Sequence, residues 1–274
     1  MTTLPTSTRG RIRSATTIER TTLAAGWELL AVAPGSAATP RDLPATGWTP
    51  ATVPATAAGA LRAAGRWSLD APARRFDAED WWWRTRFSSP DDAPGEEIAL
   101  CFDGLATLAD VWLDGEPLLA SRNMFLAHER RLLRGGSHEL AIRFAALDAD
   151  LAARRPRPRW RAPMIEHQQL RWIRTTLLGR TPGWSPPAAP VGPWREIRLE
   201  RRFGVVVEDL RLATRLEGDA GIVEVSCRLR AVGEASPQRA DIVLEQNGTA
   251  HRATLSAHGD RLAARLVVPQ PSLW

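Results

Sequence analysis

The 274-residue sequence predicts an all-β protein built as two successive sandwiches, and three observations carry that reading. Apolar residues recur with a period of two, in runs bounded by Gly, Pro, Asp and Asn, as strands half-buried against a core require. Helical periodicity is nearly absent. The length exceeds the roughly 100 to 200 residues of an ordinary domain, so two cores are the expectation and a single domain of this length the alternative.

The elements follow in order. Residues 1–26 are read as an extension: Arg9, Arg11, Arg13 and Arg20 interrupt any apolar region, so no standard secretory signal is expected and the location predicted is cytoplasmic. The one expected helix runs from Ala57 to Ala64, with Thr56 as its cap, Gly65 as its stop and a place at one end of the sandwich. Trp81, Trp83, Thr85 and Phe87 alternate with Trp82, Arg84 and Arg86, giving a strand with one aromatic face. Ile98–Asp103 and Asp110–Leu113 are further strands, and Asp114-Gly115 suits the tight turn leading to Leu118-Leu119. Leu140, Ile142 and Phe144 alternate again, before prolines around Arg154–Arg161 exclude regular structure and leave a long crossing loop.

A second strand series begins after Arg201-Arg202-Phe203-Gly204, placing the boundary near Phe203. It comprises Val205–Leu212, then Val223, Val225, Cys227 and Leu229, then Ile242–Gln246 and Thr249–Leu255 around Asn247-Gly248, and finally Leu262–Val268. Asn-Gly between alternating runs is the strongest short hairpin signal.

Composition narrows the function classes. Hydrophobic residues at 44% and charged residues at 24% are ordinary for a soluble folded protein, and no apolar run approaches the roughly 18 residues of a membrane span, so no membrane partner is expected. The net charge is +5, yet the arginines, which make up every basic side chain but histidine, are interleaved with Asp and Glu rather than gathered, so no nucleic-acid partner is expected. The run from Arg154 to Arg161 with Trp160 inside it is too short to change that. Cys101 and Cys227 sit in strand-like runs and are expected as buried free thiols. The five histidines are scattered, without Cys or carboxylates at ligand spacing, so no metal and no cofactor are expected. Neither a Walker-type phosphate loop nor a Gly-x-Ser-x-Gly elbow occurs.

The most informative stretch is Gly183-Trp184-Ser185-Pro186-Pro187, followed by Gly192-Pro193-Trp194-Arg195-Glu196-Ile197, an aromatic loop with a returning strand. An exposed indole can pack on a sugar ring while a neighbouring polar group bonds its hydroxyls; the competing reading places Trp184 in a core. With Asn123-Met124-Phe125 and the segment Gly104 to Gly115, this stretch resembles the amino-terminal region of family 2 glycoside hydrolases of the β-mannosidase type.

That resemblance implies a jelly-roll sandwich, like galactose-binding domains, over residues 27–203 and the start of an immunoglobulin-like sandwich over 204–274, with Pro271-Ser272-Leu273-Trp274 similar to a Pro-x-Leu-Trp motif. In that family the loop reads Gly-Trp-Asp-Trp-Gly-Pro and its aspartate holds sugar hydroxyls. Here Ser185 replaces the aspartate and Pro186 the second tryptophan, which removes a charge-assisted bond of about 1.5–3 kcal/mol and unsettles mannose specificity. Trp184 and Ser185, with Arg171 and Arg174 upstream, are the substrate-binding candidates, although strand-surface ion pairing is the alternative for each arginine. Asn123-Met124-Phe125 is expected to shape the sandwich.

Retaining glycosidases need two carboxylates about 5–5.5 Å apart. In the family both are glutamates on barrel strands, one following an asparagine, whereas Asn123 and Asn247 are this chain's only asparagines and neither precedes a glutamate. The expectation is a non-catalytic portion of a β-mannosidase-like hydrolase, inactive alone, with carbohydrate as partner and the catalytic barrel missing from this chain. The alternative is a stand-alone carbohydrate-binding module.

Overall fold

The computed structural model describes residues 18–272 apart from 92, 133–134, 157–158, 235–238 and 259–260. Among the described residues ten strands precede the predicted boundary: β1 (Ile18–Thr22), β2 (Trp27–Val32), β3 (Thr49–Ala51), β4 (Asp80–Ser89), β5 (Glu96–Phe102), β6 (Ala109–Leu113), β7 (Glu116–Ser121), β8 (His128–Leu132), β9 (Gly136–Phe144) and β10 (Ile197–Phe203). They form a six-stranded sheet in the order β3-β2-β4-β9-β6-β7 and a four-stranded sheet in the order β1-β10-β5-β8. The fold is all-β, a jelly-roll sandwich followed by further antiparallel sheet.

Alternation on the strands builds the core. Trp27, Leu29, Trp81, Trp83, Phe87, Leu140, Ile142 and Phe144 of the six-stranded sheet meet Ile98, Leu100, Phe102, Leu132, Ile197 and Leu199 of the other. Helix α1 (Ala57–Ala63) adds Ala57, Ala58, Ala60 and Leu61 to that core. The Thr56 hydroxyl accepts the Gly59 N–H at 3.2 Å, which satisfies one of the donors a helix start leaves open. Gly65 takes the φ of 66° that ends it.

The strand β4 departs from a one-faced aromatic pattern. Trp82 points away from the sandwich core yet is fully buried, because the segment from Ala37 to Trp48 folds over that face and closes a second cluster with Trp112 and Ala141. Arg84 spans this cover, 3.8 Å from the Trp48 ring and 2.8 Å from Glu28. The crossing loop also holds what periodicity does not reveal: the one-turn helix α2 (Leu147–Leu151), whose Leu147 and Leu151 pack with Leu108 and Leu170. Five residues are too few to show a helical repeat. Strand β1 lies in the segment read as an extension; its five residues are all exposed, so no alternation marked it.

The later strands are β11 (Val205–Glu217), β12 (Ala220–Ala231), β13 (Asp241–Gln246), β14 (Thr249–Thr254), β15 (Ser256–His258) and β16 (Arg261–Pro269). They make a sheet β11-β12-β16-β15 and the hairpin β13-β14. Both predicted hairpin turns carry the left-handed backbone expected of them: Asp114 and Gly115 at φ 55° and 83°, Asn247 and Gly248 at 49° and 80°.

The chain divides into two compact units, one of Arg20–Asp92 with Ile98–Glu200, the other including Ala93–Glu97 and the chain from Arg201 onward. Within the second unit, Glu97 is held by Arg230 at 2.7 and 3.0 Å and by Arg202 at 3.3 Å, which ties the short segment to β10 and β12. Cys101 and Cys227 are buried and not joined in a disulfide. No helix among the described residues is long and apolar enough to cross a membrane. The motif at Pro271 extends to residues 273 and 274, which lie outside the described residues, as do residues 157 and 158 of the arginine-proline run.

Candidate functional site

The loop between the 3-10 turn at Gln168–Trp172 and β10 is pinned at three depths. At its start Arg174 forms a parallel bridge with Asn123, and the Met124 N–H donates to the Arg174 carbonyl at 3.0 Å. The Met124 sulfur then accepts the Thr176 N–H at 3.0 Å, and Thr175 bonds Thr107 through their hydroxyls at 2.6 Å. Asn123 shapes this turn by accepting the Phe125 N–H on its side chain at 3.0 Å.

Deeper in, Arg180 forks onto Asp77 with two bonds of 2.7 Å, both side chains almost wholly buried, and also donates to the Thr176 carbonyl at 2.9 Å. Bidentate arginine–carboxylate geometry is directional as well as strong, so it orients the loop against the sandwich. The return is sealed by paired bonds of 2.9 Å between Ala106 and Gly192. Gly192 has a φ of 131°, and a Cβ there would stand 3.0 Å from the Trp83 ring and 3.1 Å from the Ala55 carbonyl, so glycine is required. Trp194 donates its indole N–H to the Met124 carbonyl at 2.8 Å over Gly104, where a Cβ would come within 2.6 Å of that nitrogen.

Within this frame Trp184 stands at 75% exposure, which removes it from any core. Its backbone N–H donates to the Thr181 carbonyl at 3.2 Å. Ser185 turns inward: its hydroxyl oxygen accepts the Gly179 N–H at 2.8 Å and closes the loop on itself. Phe125, Leu126, Leu177 and Leu178 are also exposed, and the Asn123–Arg174 bridge and the Met124–Thr176 bond bring these two segments together.

The upstream arginines are placed differently. Arg171 donates to the Gln168 carbonyl at 2.8 Å and to the Gln168 side chain at 2.7 Å, with its guanidinium 4.5 Å from the exposed Trp160 ring. Gln168 in turn binds the backbone at Ala162 and Ile165, so Arg171 braces the turn as well as facing outward. Arg174 contributes backbone to the bridge and leaves its side chain exposed. The structure thus joins Trp184 and Ser185 in one braced tip, with Arg171 and Arg174 on the approach. Arg180 and Asp77 escaped the sequence reading because they lie 103 residues apart, with nothing local to link them.

Other polar constellations serve the frame. Buried Asp80 accepts the Gly35 N–H at 3.0 Å and the Ala146 N–H at 2.7 Å, and buried Glu200 takes Arg198 at 2.9 Å and Arg20 at 3.1 Å. Ser89, His138 and Asp114 line up at 3.1 and 2.8 Å, but Ser89 and His138 are buried, and Asp114 also accepts the Glu139 N–H at 2.8 Å, so the line clamps the β6–β7 turn. Among the described residues no group of His, Cys, Asp and Glu is placed to hold a metal.

The family model of the glycosyl hydrolase 2 galactose-binding domain-like group matches residues 27–195, the sandwich and its loop together. The chain belongs to this family. Among curated relatives of this glycosyl hydrolase 2 sandwich, Beta-mannosidase B of Aspergillus terreus is 32% identical over 210 residues, covering 74% of this chain and 25% of the fungal protein. Beta-mannosidase B of Thermothelomyces thermophilus is 30% identical over 203 residues, covering 71% and 23%. The chain therefore spans about a quarter of the length of the curated relatives it matches. Among solved structures, β-D-mannosidase from Dictyoglomus thermophilum shares the fold at a TM-score of 0.68 and 20% identity, over 93% of this chain and 32% of that one.

Proposed function

We propose that this chain is the non-catalytic sandwich portion of a β-mannosidase-like glycoside hydrolase, and that its braced loop walls one side of a sugar pocket whose catalytic carboxylates come from elsewhere. The observation that carries the reading is Trp184, an exposed indole at the tip of a loop held rigid by Met124, Arg180 and Ser185. An indole fixed in this way offers a flat apolar face to a pyranose ring at little entropic cost. Ser185, with its oxygen occupied by Gly179, positions Trp184 rather than grasping a hydroxyl through a charge. Arg171 and Arg174 supply cationic donors at the approach.

The purified 274-residue chain is expected to leave an aryl β-mannoside intact, and turnover that survives controls for contaminating enzyme would overturn the proposal. In a complete enzyme carrying this sandwich, Trp184→Ala should lower kcat/KM on a β-mannoside while leaving the melting temperature in place. An unchanged kcat/KM would reduce Trp184 to a surface residue.

The exposure of Trp184 also suits a stand-alone carbohydrate-binding module. Calorimetric titration with mannosides separates the two, since a single pocket wall should bind no tighter than about millimolar, near −4 kcal/mol.

A further inference from the structure

The sheet β11-β12-β16-β15 ends at β11, an edge strand of thirteen residues that is exposed at every position from Asp209 onward. A long exposed edge is a template for another strand, and strands that stay solitary usually carry charges, lysine above all, a proline or a bulge. The charges of β11 from Arg211 onward, Arg211, Arg215 and Glu217, are of both signs. The chain has no lysine, and β11 has no proline. Its bulge, where the register with β12 shifts between Glu208 and Arg211, lies at one end. From Arg211 to Glu217 the strand is regular and paired to β12 on one side.

One face of this stretch continues a buried stripe. Leu212 stands opposite Val225, itself opposite Ala264, and Leu216 stands opposite Gly221, itself opposite Val268. Directly opposite residues share a face of the sheet. Val225 and Val268 are buried, whereas Leu212 and Leu216 are 60% and 52% exposed, so the stripe runs out from under its cover at β11.

The exposed stretch Arg211-Leu212-Ala213-Thr214-Arg215-Leu216-Glu217 is complementary to its own reversal. About a twofold axis at Thr214, Arg211 faces Glu217 of a second copy, Leu212 faces Leu216, Ala213 faces Arg215 and Thr214 faces itself. Opposite charges, paired leucines and paired threonines are the combinations that stabilise antiparallel neighbours. An axis at Ala213 instead opposes Arg211 to Arg215, and a slip that mixes odd with even positions turns leucines toward the charged face. Glu217 is already oriented by Arg215 and Arg265 of its own sheet.

The geometry points to antiparallel pairing of β11 with β11 of a second copy, centred on Thr214 and joining two sheets into one. The contact is isologous, so it closes as a dimer rather than growing. It is also small, so the expected association is weak, observable at tens of micromolar.

Sedimentation velocity on the 274-residue chain should show a monomer–dimer equilibrium, and Leu212→Asp should weaken it at least about tenfold without changing the circular dichroism spectrum. Thr214→Cys should form a disulfide-linked dimer under mild oxidant, because a residue on the axis meets its own copy at the spacing a disulfide needs. Ala257→Cys, on the opposite edge strand β15, should not. The proposal fails if the chain is monomeric at a hundred micromolar or so, if Leu212→Asp associates as before, or if both cysteines cross-link equally.

Discussion

Trp83 and Trp184 are the same residue put to opposite uses. Trp83 is wholly buried in the sandwich core, whereas Trp184 stands three-quarters in solvent. Strand alternation delivers the first to a face that must be covered. The second is held out by a loop whose polar groups brace it, Arg180 on Asp77, Gly192 on Ala106 and Ser185 on Gly179 within the loop. The contrast teaches that exposure of a large aromatic here is maintained by buried bonds, which is what a preorganised binding surface requires.

The largest expected effect is on the buried side. Trp83→Ala should cost about 3–5 kcal/mol in denaturant unfolding, through lost burial and a cavity, while Trp184→Ala should stay within about 0.5 kcal/mol. Equal losses would erase the distinction. Arg180→Ala comes next: stranding the Asp77 carboxylate in a nearly dry site should cost about 3 kcal/mol and expose the loop between residues 177 and 187 to proteolysis. Arg180→Lys should rescue it poorly, because a single ammonium cannot reproduce the two-pronged contact. A loop that stays protease-resistant in Arg180→Ala would mean the other pins suffice.

A finer test separates neighbours on β4. The Trp81 indole N–H donates to the Phe76 carbonyl at 2.9 Å, whereas that of Trp83 is buried with no partner among the described residues. Trp81→Phe should therefore be more costly than Trp83→Phe by about 1 kcal/mol, read from paired unfolding curves.

The smallest effect is a pH dependence. Burial, and secondarily the positive charge of Arg130, holds the His128 imidazole below its usual value of 6.5. As pH falls through that value the unfolded chain takes up the proton first, so this contribution to stability is complete above about pH 7 and is lost progressively toward acid. His128→Gln should flatten the stability profile between about pH 7 and 5. An unchanged profile would assign the acid sensitivity of the sandwich to other groups.

Much of the architecture is legible residue by residue. Period-two runs identify β4, β9 and β12, Asp114-Gly115 and Asn247-Gly248 mark the β6–β7 and β13–β14 hairpins, and Thr56 with Gly65 brackets α1. Segments that the sequence reading passes over include β2, β3, β8 and β15 as well as β1, whose residues are all exposed, and α2, a single turn; Trp82 is buried only because a distant segment crosses it. At the loop, Gly183-Trp184-Ser185 is visible as a motif, but its support by Met124, Asp77 and Gly192 is not.

By itself, then, the sequence determined the all-β class, the hairpins and the residues of the aromatic loop, because alternation, turn chemistry and motif spacing are encoded between near neighbours. Only the tertiary structure decided that Trp184 faces solvent, that Ser185 bonds the loop rather than pointing outward, and that β11 lies at an edge with leucines uncovered. The first depends on braces tens of residues away and the third on the order of strands in a sheet, while the Ser185–Gly179 bond spans only six residues but forms only once the loop is folded back on itself, and no local pattern specifies any of these.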